Sequence, residues 1–168
     1  MDEISEKVLN ALKVRFPQQD WPFEYSFDML AVVCTPGVIF DVIKFLKEDE
    51  QTGYSFLTDI TGIHVPADVN KELGVIYHLH NMRAGHRIRV KTFCSIGQPV
   101  VHSVTSLWPT ANWMERETYD FFGIEFSGHP DLRRILNVPE MDYFPLRKQY
   151  KMEDQTRTDK EDIFFGRS

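Results

Sequence analysis

Two stretches, "LGVIYHLHNM" (73–82) and "HRIRVKTFC" (86–94), alternate apolar and polar residues on either side of a break at Ala84-Gly85. Alternation sustained in both arms is the period of a half-buried β-strand, and the small residues between them suit a hairpin turn. With Ala84-Gly85 as a two-residue loop, Arg83 pairs with His86. Tyr77 then faces Thr92, Leu79 faces Val90 and Val75 faces Cys94 on an apolar side. His80 faces Arg89 and His78 faces Lys91 on a polar side. A sheet with one apolar face needs a second layer to cover it, which bounds the fold more tightly than any other feature of the chain.

Helices supply that layer. Ile4, Val8, Ala11 and Leu12 recur at helical spacing before Pro17, which predicts an opening helix. "FPQQDWPFEY" breaks the pattern, and "FDMLAVVC" (27–34) reads as a strand. Thr35 is placed as an N-cap with Pro36 at the first helical position, ahead of a core-facing stripe of Val38, Ile39, Val42, Phe45 and Leu46. "FLTDITGIHV" reads as a further strand, and "SLWPTANWMERETYDFFG" as a helix entered after Pro109 and stopped by Gly123. A turn or single helical turn follows Pro130, and "VPEMDYFPLRKQY" is irregular. The expected fold is α+β: two layers, helices packed on a mixed or antiparallel sheet. Residues 1–150 form one domain. Residues 151–168 form a charged C-terminal tail in which Ile163-Phe164-Phe165 is an isolated apolar cluster, so the tail reads equally as a docking strap or a frayed end.

Composition removes several function classes. The net charge of −6 lacks the basic surface that duplex nucleic acid requires. Cys34 and Cys94 are the only cysteines and form no Cys-x-x-Cys pair, which argues against an iron–sulfur cluster or a thiolate zinc site held by this chain alone. "MLAVVC" is far shorter than the ~20 apolar residues of a membrane-spanning helix. There is neither a G-x-x-x-x-G-K-[ST] phosphate loop nor a G-x-G-x-x-G turn. His78-x-His80 has metal-ligand spacing, but its cationic cross-strand neighbours would repel a cation.

"WMERETYDFFGIEFSGHPDLRRIL" (113–136) concentrates the remaining chemistry. On a helical wheel Ala111, Met114, Thr118, Phe121 and Phe122 share the core arc, while Glu115 and Glu117 fall on its opposite edges, about 160° apart. That separation speaks against one carboxylate cluster built from Glu115, Glu117 and Asp120. Arg116 and Asp120, four apart, are expected to form an ion pair. Gly128 permits a sharp turn and Pro130 pushes His129 toward extended backbone, so His129 reads best as a hydrogen-bonding strut, with general base or metal ligand as the other options. A small metal-dependent enzyme using His129, Glu117 and Asp120 is the rival reading, and a stand-alone binding module a second rival. Arg133, Arg134, Arg147 and Lys148 form a local basic group suited to contacting an acidic partner.

Glu115-Arg116-Glu117, Asp120-Phe121-Phe122-Gly123, Gly128-His129-Pro130 and Leu132-Arg133-Arg134-Ile135-Leu136 together resemble the signature of one family. It is the 30 kDa-subunit family of proton-pumping NADH:quinone oxidoreductase, respiratory complex I. "ANWMERE", "LTDITGI", "VIYHL" and "PLRK", the last containing Pro145, Arg147 and Lys148, are also similar to that family, and the likeness covers roughly residues 27–150. The chain departs from the family's usual residues at His64, at "EMDYF" (140–144) and at Gln149. The resemblance implies a non-catalytic structural subunit of the hydrophilic arm, peripheral on the cytoplasmic face of a bacterial inner membrane. It would contact the subunit that forms the quinone site and neighbouring iron–sulfur subunits. NADH, FMN, iron–sulfur clusters and quinone would be bound by those partners and none by this chain. Related membrane-bound hydrogenases and ferredoxin-linked oxidoreductases share the module.

Overall fold

The computed structural model describes residues 2–150; the expectations for the tail 151–168, Ile163–Phe165 included, lie outside them. The elements run α1 (Glu3–Arg15), β1 (Phe23–Ser26), β2 (Met29–Cys34), α2 (Ile39–Glu48), β3 (Phe56–His64), β4 (Leu73–Asn81), β5 (His86–Cys94), β6 (Val100–His102), α3 (Ala111–Phe122) and β7 (Glu125–Ser127). A five-stranded sheet has the order β1-β2-β5-β4-β3, and β6 and β7 form a separate parallel pair. Within the large sheet only β2 and β5 run parallel, so the sheet is mixed.

The hairpin keeps its two faces but not its expected register. Asn81, not Arg83, pairs with His86, and every pair slips by two residues: Tyr77 faces Val90, Leu79 faces Ile88, Val75 faces Thr92, His78 faces Arg89 and His80 faces Arg87. The cause is the turn. The Asn81 carboxamide oxygen accepts the backbone N–H groups of Arg83 and Ala84, both at 3.0 Å, and Gly85 takes a positive φ of 63°, closing a four-residue loop over 82–85. A slip of two leaves the alternation unchanged, so the apolar face survives.

That face packs on all three helices. Val75, Tyr77, Leu79, Ile88, Val90, Leu30 and Val32 form one core with Val8, Leu9 and Leu12 of α1 and with Ile39, Val42, Ile43 and Leu46 of α2. The Phe122 ring of α3 lies over Gly62, where any Cβ would collide with it, and Gly62 pairs with Val75 of the core face. The opposite face of the sheet carries no helix among the described residues.

Three local expectations need correction. β1 is absent from the sequence reading. It joins β2 through Phe27 and Asp28, both at positive φ (51° and 54°), a turn for which the sequence has none of the usual glycine or asparagine signal. Thr35 and Pro36 do not open α2: the helix begins at Ile39, its N-cap is Val38, and the Thr35 hydroxyl instead donates to the Gln19 side chain at 3.0 Å. After Pro130 the chain forms bends and no helical turn.

α1 is fastened by a polar chain. Asp2 caps it, accepting the Ser5 N–H at 2.8 Å, the Ser5 hydroxyl at 2.9 Å and the Tyr25 hydroxyl at 2.8 Å. His86 bridges the Ser5 hydroxyl (3.1 Å) to the Tyr54 hydroxyl (2.6 Å), which ties the helix to the start of β5.

Candidate functional site

Residues of the signature stretch meet where α3 ends. An α-helix leaves its last four carbonyls without intrahelical partners. Here each finds one. Gly123, left-handed at φ 71°, donates its N–H to the Tyr119 carbonyl at 2.8 Å. Arg134 donates to the Asp120 carbonyl at 2.9 Å, the Leu146 N–H to that of Phe121 at 3.2 Å, and Arg147 to that of Phe122 at 2.7 Å. All but the first of these donors come from the irregular segment 131–150, so the helix end is capped by a loop.

Asp120 fixes the other side of that loop. Its carboxylate, fully buried, accepts five hydrogen bonds: from Arg134 (2.7 Å), the Asn137 carboxamide (3.1 Å), and the backbone N–H groups of Ile135 (3.1 Å), Leu136 (2.8 Å) and Asn137 (2.9 Å). Burial alone would raise its pKa. The backbone donors, Asn137 and the Arg134 guanidinium outweigh that and hold it well below the usual carboxylate range. Arg134 also donates to the carbonyls of Met141 (2.7 Å) and Tyr143 (2.9 Å). Phe144 lies beneath both guanidiniums, 5.1 Å from Arg134 and 4.6 Å from Arg147, and occupies the space that a Cβ on Gly123 would need. The Lys148 N–H closes the segment onto Nδ1 of buried His64 at 2.8 Å, while the Lys148 residue itself is exposed.

The expected Arg116–Asp120 pair does not form. Both oxygens of Asp120 are filled by the loop, and Arg116 reaches the same loop independently, donating to the carbonyls of Arg133 (3.1 Å) and Arg134 (3.0 Å). Glu115 is also misplaced by the wheel. It is fully buried, accepting the Ser103 hydroxyl and the Val104 N–H, each at 2.7 Å. Burial pushes its pKa up to about 7, against the opposing pull of those two donors. Glu117 is exposed. His129, in the turn after Gly128 (φ 82°), accepts the Asp131 N–H on Nδ1 at 3.0 Å and bonds the Asn112 carbonyl through Nε2 at 3.2 Å. Both ring nitrogens are thus occupied by backbone. Pro130 is exposed beside it, and half-buried Pro145 precedes the capping residues Leu146 and Arg147.

The structure therefore gathers Asp120, Gly123, Arg116, Arg134 and Arg147 around one loop, and leaves Glu115, Glu117 and His129 apart from it. Among the described residues no three His, Cys, Asp or Glu side chains come together as a metal-ligand set. Reasoning from the sequence misses Asn137, Phe144, Ser103 and His64. Only Asn137, next to the "RRIL" run, stood near an obvious signal. What the arrangement does is hold a loop whose outer side chains are apolar: Leu136 is 65% exposed and Val138 59%, with Trp113 of α3 at 61%.

Comparison with known proteins places this geometry. The family model "Respiratory-chain NADH dehydrogenase, 30 Kd subunit" matches residues 32–156. A subunit of the NADH-quinone oxidoreductase of Chlorobium phaeobacteroides is 36% identical over 154 residues, covering 91% of this chain and 87% of that protein. The same-named subunit of Chelativorans sp. is 42% identical over 134 residues, covering 80% of this chain and 65% of its own length. The mitochondrial NADH-ubiquinone oxidoreductase 30.4 kDa subunit of Neurospora crassa is 41% identical over 140 residues, covering 83% of this chain; the chain spans 49% of that longer protein. Among solved structures, a trypsin-resistant fragment of Nqo5 superposes with a TM-score of 0.66 at 31% identity, covering 77% of this chain and 99% of the fragment. A chain of the membrane-bound sulfane sulfur reductase, an archaeal respiratory membrane complex, superposes with a TM-score of 0.73 at 25% identity, covering 89% of this chain and 87% of that one. With its signature residues built into one capped and clamped loop, the chain belongs to the family of the 30 kDa subunit of respiratory-chain NADH dehydrogenase.

Proposed function

We propose that the chain is a non-catalytic structural subunit of the hydrophilic arm of a proton-pumping NADH:quinone oxidoreductase. Its task is to support assembly and the neighbouring quinone-site subunit, together with nearby iron–sulfur subunits. NADH, FMN, iron–sulfur clusters and quinone belong to those partners. The reading places the chain peripherally at the cytoplasmic face of a bacterial inner membrane; no helix among the described residues is long and apolar enough to cross a bilayer. One observation carries it: the Asp120-centred network spends its charged side chains on the loop's own backbone and turns Leu136 and Val138 outward beside Trp113. Apolar side chains held outward by buried ion pairs suit a packing surface rather than a reaction centre. Arg133, whose side chain is 70% exposed, adds a cation at its border.

A second reading, the same subunit in a related membrane-bound complex with another electron donor, such as a hydrogenase or a ferredoxin-linked oxidoreductase, draws support from the likeness to the sulfane sulfur reductase chain. Affinity-tagged full-length chain extracted gently from its own membranes should bring down iron–sulfur and membrane subunits, and the identity of the electron-input subunit separates the two readings. Leu136→Asp should leave the chain folded and reduce the co-purified subunits severalfold. Repeated recovery of a lone monomer would overturn both readings.

A further inference from the structure

The sheet face turned away from the helices has a charge pattern of its own. On the central strand β5, Arg87, Arg89 and Lys91 project from this face at alternate positions, and on β4 His78 and His80 stand beside Arg89 and Arg87. The acidic groups sit at the margins, Glu24 on the edge strand β1 and Asp59 on the edge strand β3. Lys91 reaches Glu24 at 3.4 Å, but Arg87 and Arg89 have no carboxylate partner among the described residues. A cationic centre on a chain of net charge −6 is a local reversal of sign.

His78 adds a second observation. Its Nε2 accepts from Arg89 at 3.0 Å, so its proton sits on Nδ1, which is buried without a hydrogen-bond partner. Asp59 stands 3.8 Å from that nitrogen, too far for a hydrogen bond. Burial, and then Arg89, lower the pKa of His78 against the pull of Asp59 and so favour the neutral, single-donor ring. The face therefore holds two arginines and an N–H without acceptors. At its other end it is apolar: Phe93 lies flat over Gly74, with Ile63 against the same glycine and Ile76 and Val33 alongside.

We propose that this helix-free face is a second docking surface, fitted to a carboxylate-rich segment of a neighbouring protein that sets an apolar anchor against Phe93 and Ile76. Acceptors on that segment complete Arg87 and Arg89. The flanking Glu24 and Asp59 fix its position and repel a continuous anionic surface such as a lipid bilayer, which is why a protein segment is the better fit. The inference rests on the reading of the chain as an assembled subunit but uses none of the residues of the clamped loop.

Its test is site-specific photocrosslinking in intact membranes, with a photoreactive residue placed singly at Thr61, at Arg87 or, as a reference on the loop, at Leu136, each adduct mapped by mass spectrometry. The expected result is an adduct from Thr61 and Arg87 to a peptide carrying more Asp and Glu than Lys and Arg. Arg87→Glu should lower the Thr61 adduct about fivefold, the effect of losing about 1 kcal/mol. Adducts from Leu136 alone, or from Thr61 and Arg87 to lipid or to a segment without excess acid, overturn this inference and leave the loop as the interface. No adduct from any of the three positions overturns both. An unchanged Thr61 adduct in the Arg87→Glu background overturns the role of charge.

Discussion

α2 and α3 are of similar length, ten and twelve residues, yet they bury opposite kinds of side chain. α2 sets Ile39, Val42, Ile43 and Leu46 against the sheet, all fully buried. α3 buries Glu115, Arg116, Thr118 and Asp120, while Met114, Phe121 and Phe122 are only partly covered. An apolar stripe needs neighbours of suitable shape and accepts many arrangements of them. A buried carboxylate needs donors at fixed points, and leaving one unpartnered costs more than the bond itself contributes. α2 therefore belongs to a general hydrophobic core, whereas α3 dictates the path of twenty residues of chain that have no regular structure of their own.

Breaking each helix at its centre should expose the difference. Asp120→Ala leaves the Arg134 charge and three backbone N–H groups without their acceptor, and should cost about 3–5 kcal/mol. The damage should centre on 131–150, read as lost amide protection at Ile135, Leu136 and Asn137 and as new proteolytic cuts there. Arg134→Glu should do likewise and lower the amount of assembled complex more than the turnover of what does assemble. Ile43→Ala should cost about 2–5 kcal/mol, but globally, seen as one earlier cooperative transition in denaturant with the loop protected until the whole domain unfolds. If both variants lose protection at the same sites in the same order, the two helices are not separable in this way.

Glu115 offers a finer probe. Its folded pKa lies near 7, above the 4.5 of a free glutamic acid. Below pH 4.5 both folded and unfolded chains hold the proton. As pH rises toward 7 the unfolded chain releases it first, so stability falls across this window, by on the order of 3 kcal/mol, and levels off above it. In Glu115→Gln the Val104 N–H keeps its acceptor and the carboxamide donates to the Ser103 hydroxyl, which turns toward Thr105 at 2.8 Å. That variant should lose the slope between pH 4.5 and 7 and be the more stable of the two at pH 8. An unchanged slope would place the titration elsewhere.

How far the sequence could be read follows the same division. α1, α2 and the faces of the β4–β5 hairpin were legible because apolar period reports burial directly. The hairpin register was not, since a slip of two preserves every face and only the Asn81 side chain decides it. At α3 the wheel placed Glu115 at the margin of the core arc. The structure buries it completely, because the Ser103–Val104 turn supplies donors from a segment eleven or twelve residues away. Arg116 and Asp120 have ideal spacing for each other, yet each is claimed by the 133–137 backbone. Local spacing shows which side chains are near one another; it does not show which has a better partner farther along the chain. The signature stretch was nonetheless recognisable, since its charges are the ones the loop requires.

The capping of α3 by its own following loop has a consequence for association. Ordering a flexible backbone segment costs about 1–2 kcal/mol per residue, which for a stretch such as 131–150 exceeds the net affinity of most complexes. Here that entropy is surrendered when the subunit folds, through bonds that Asp120, Arg134 and Arg147 make within one chain. A neighbour meeting Leu136 and Val138 finds them already rigid, so its binding energy goes into affinity and residence time rather than into ordering the surface it binds.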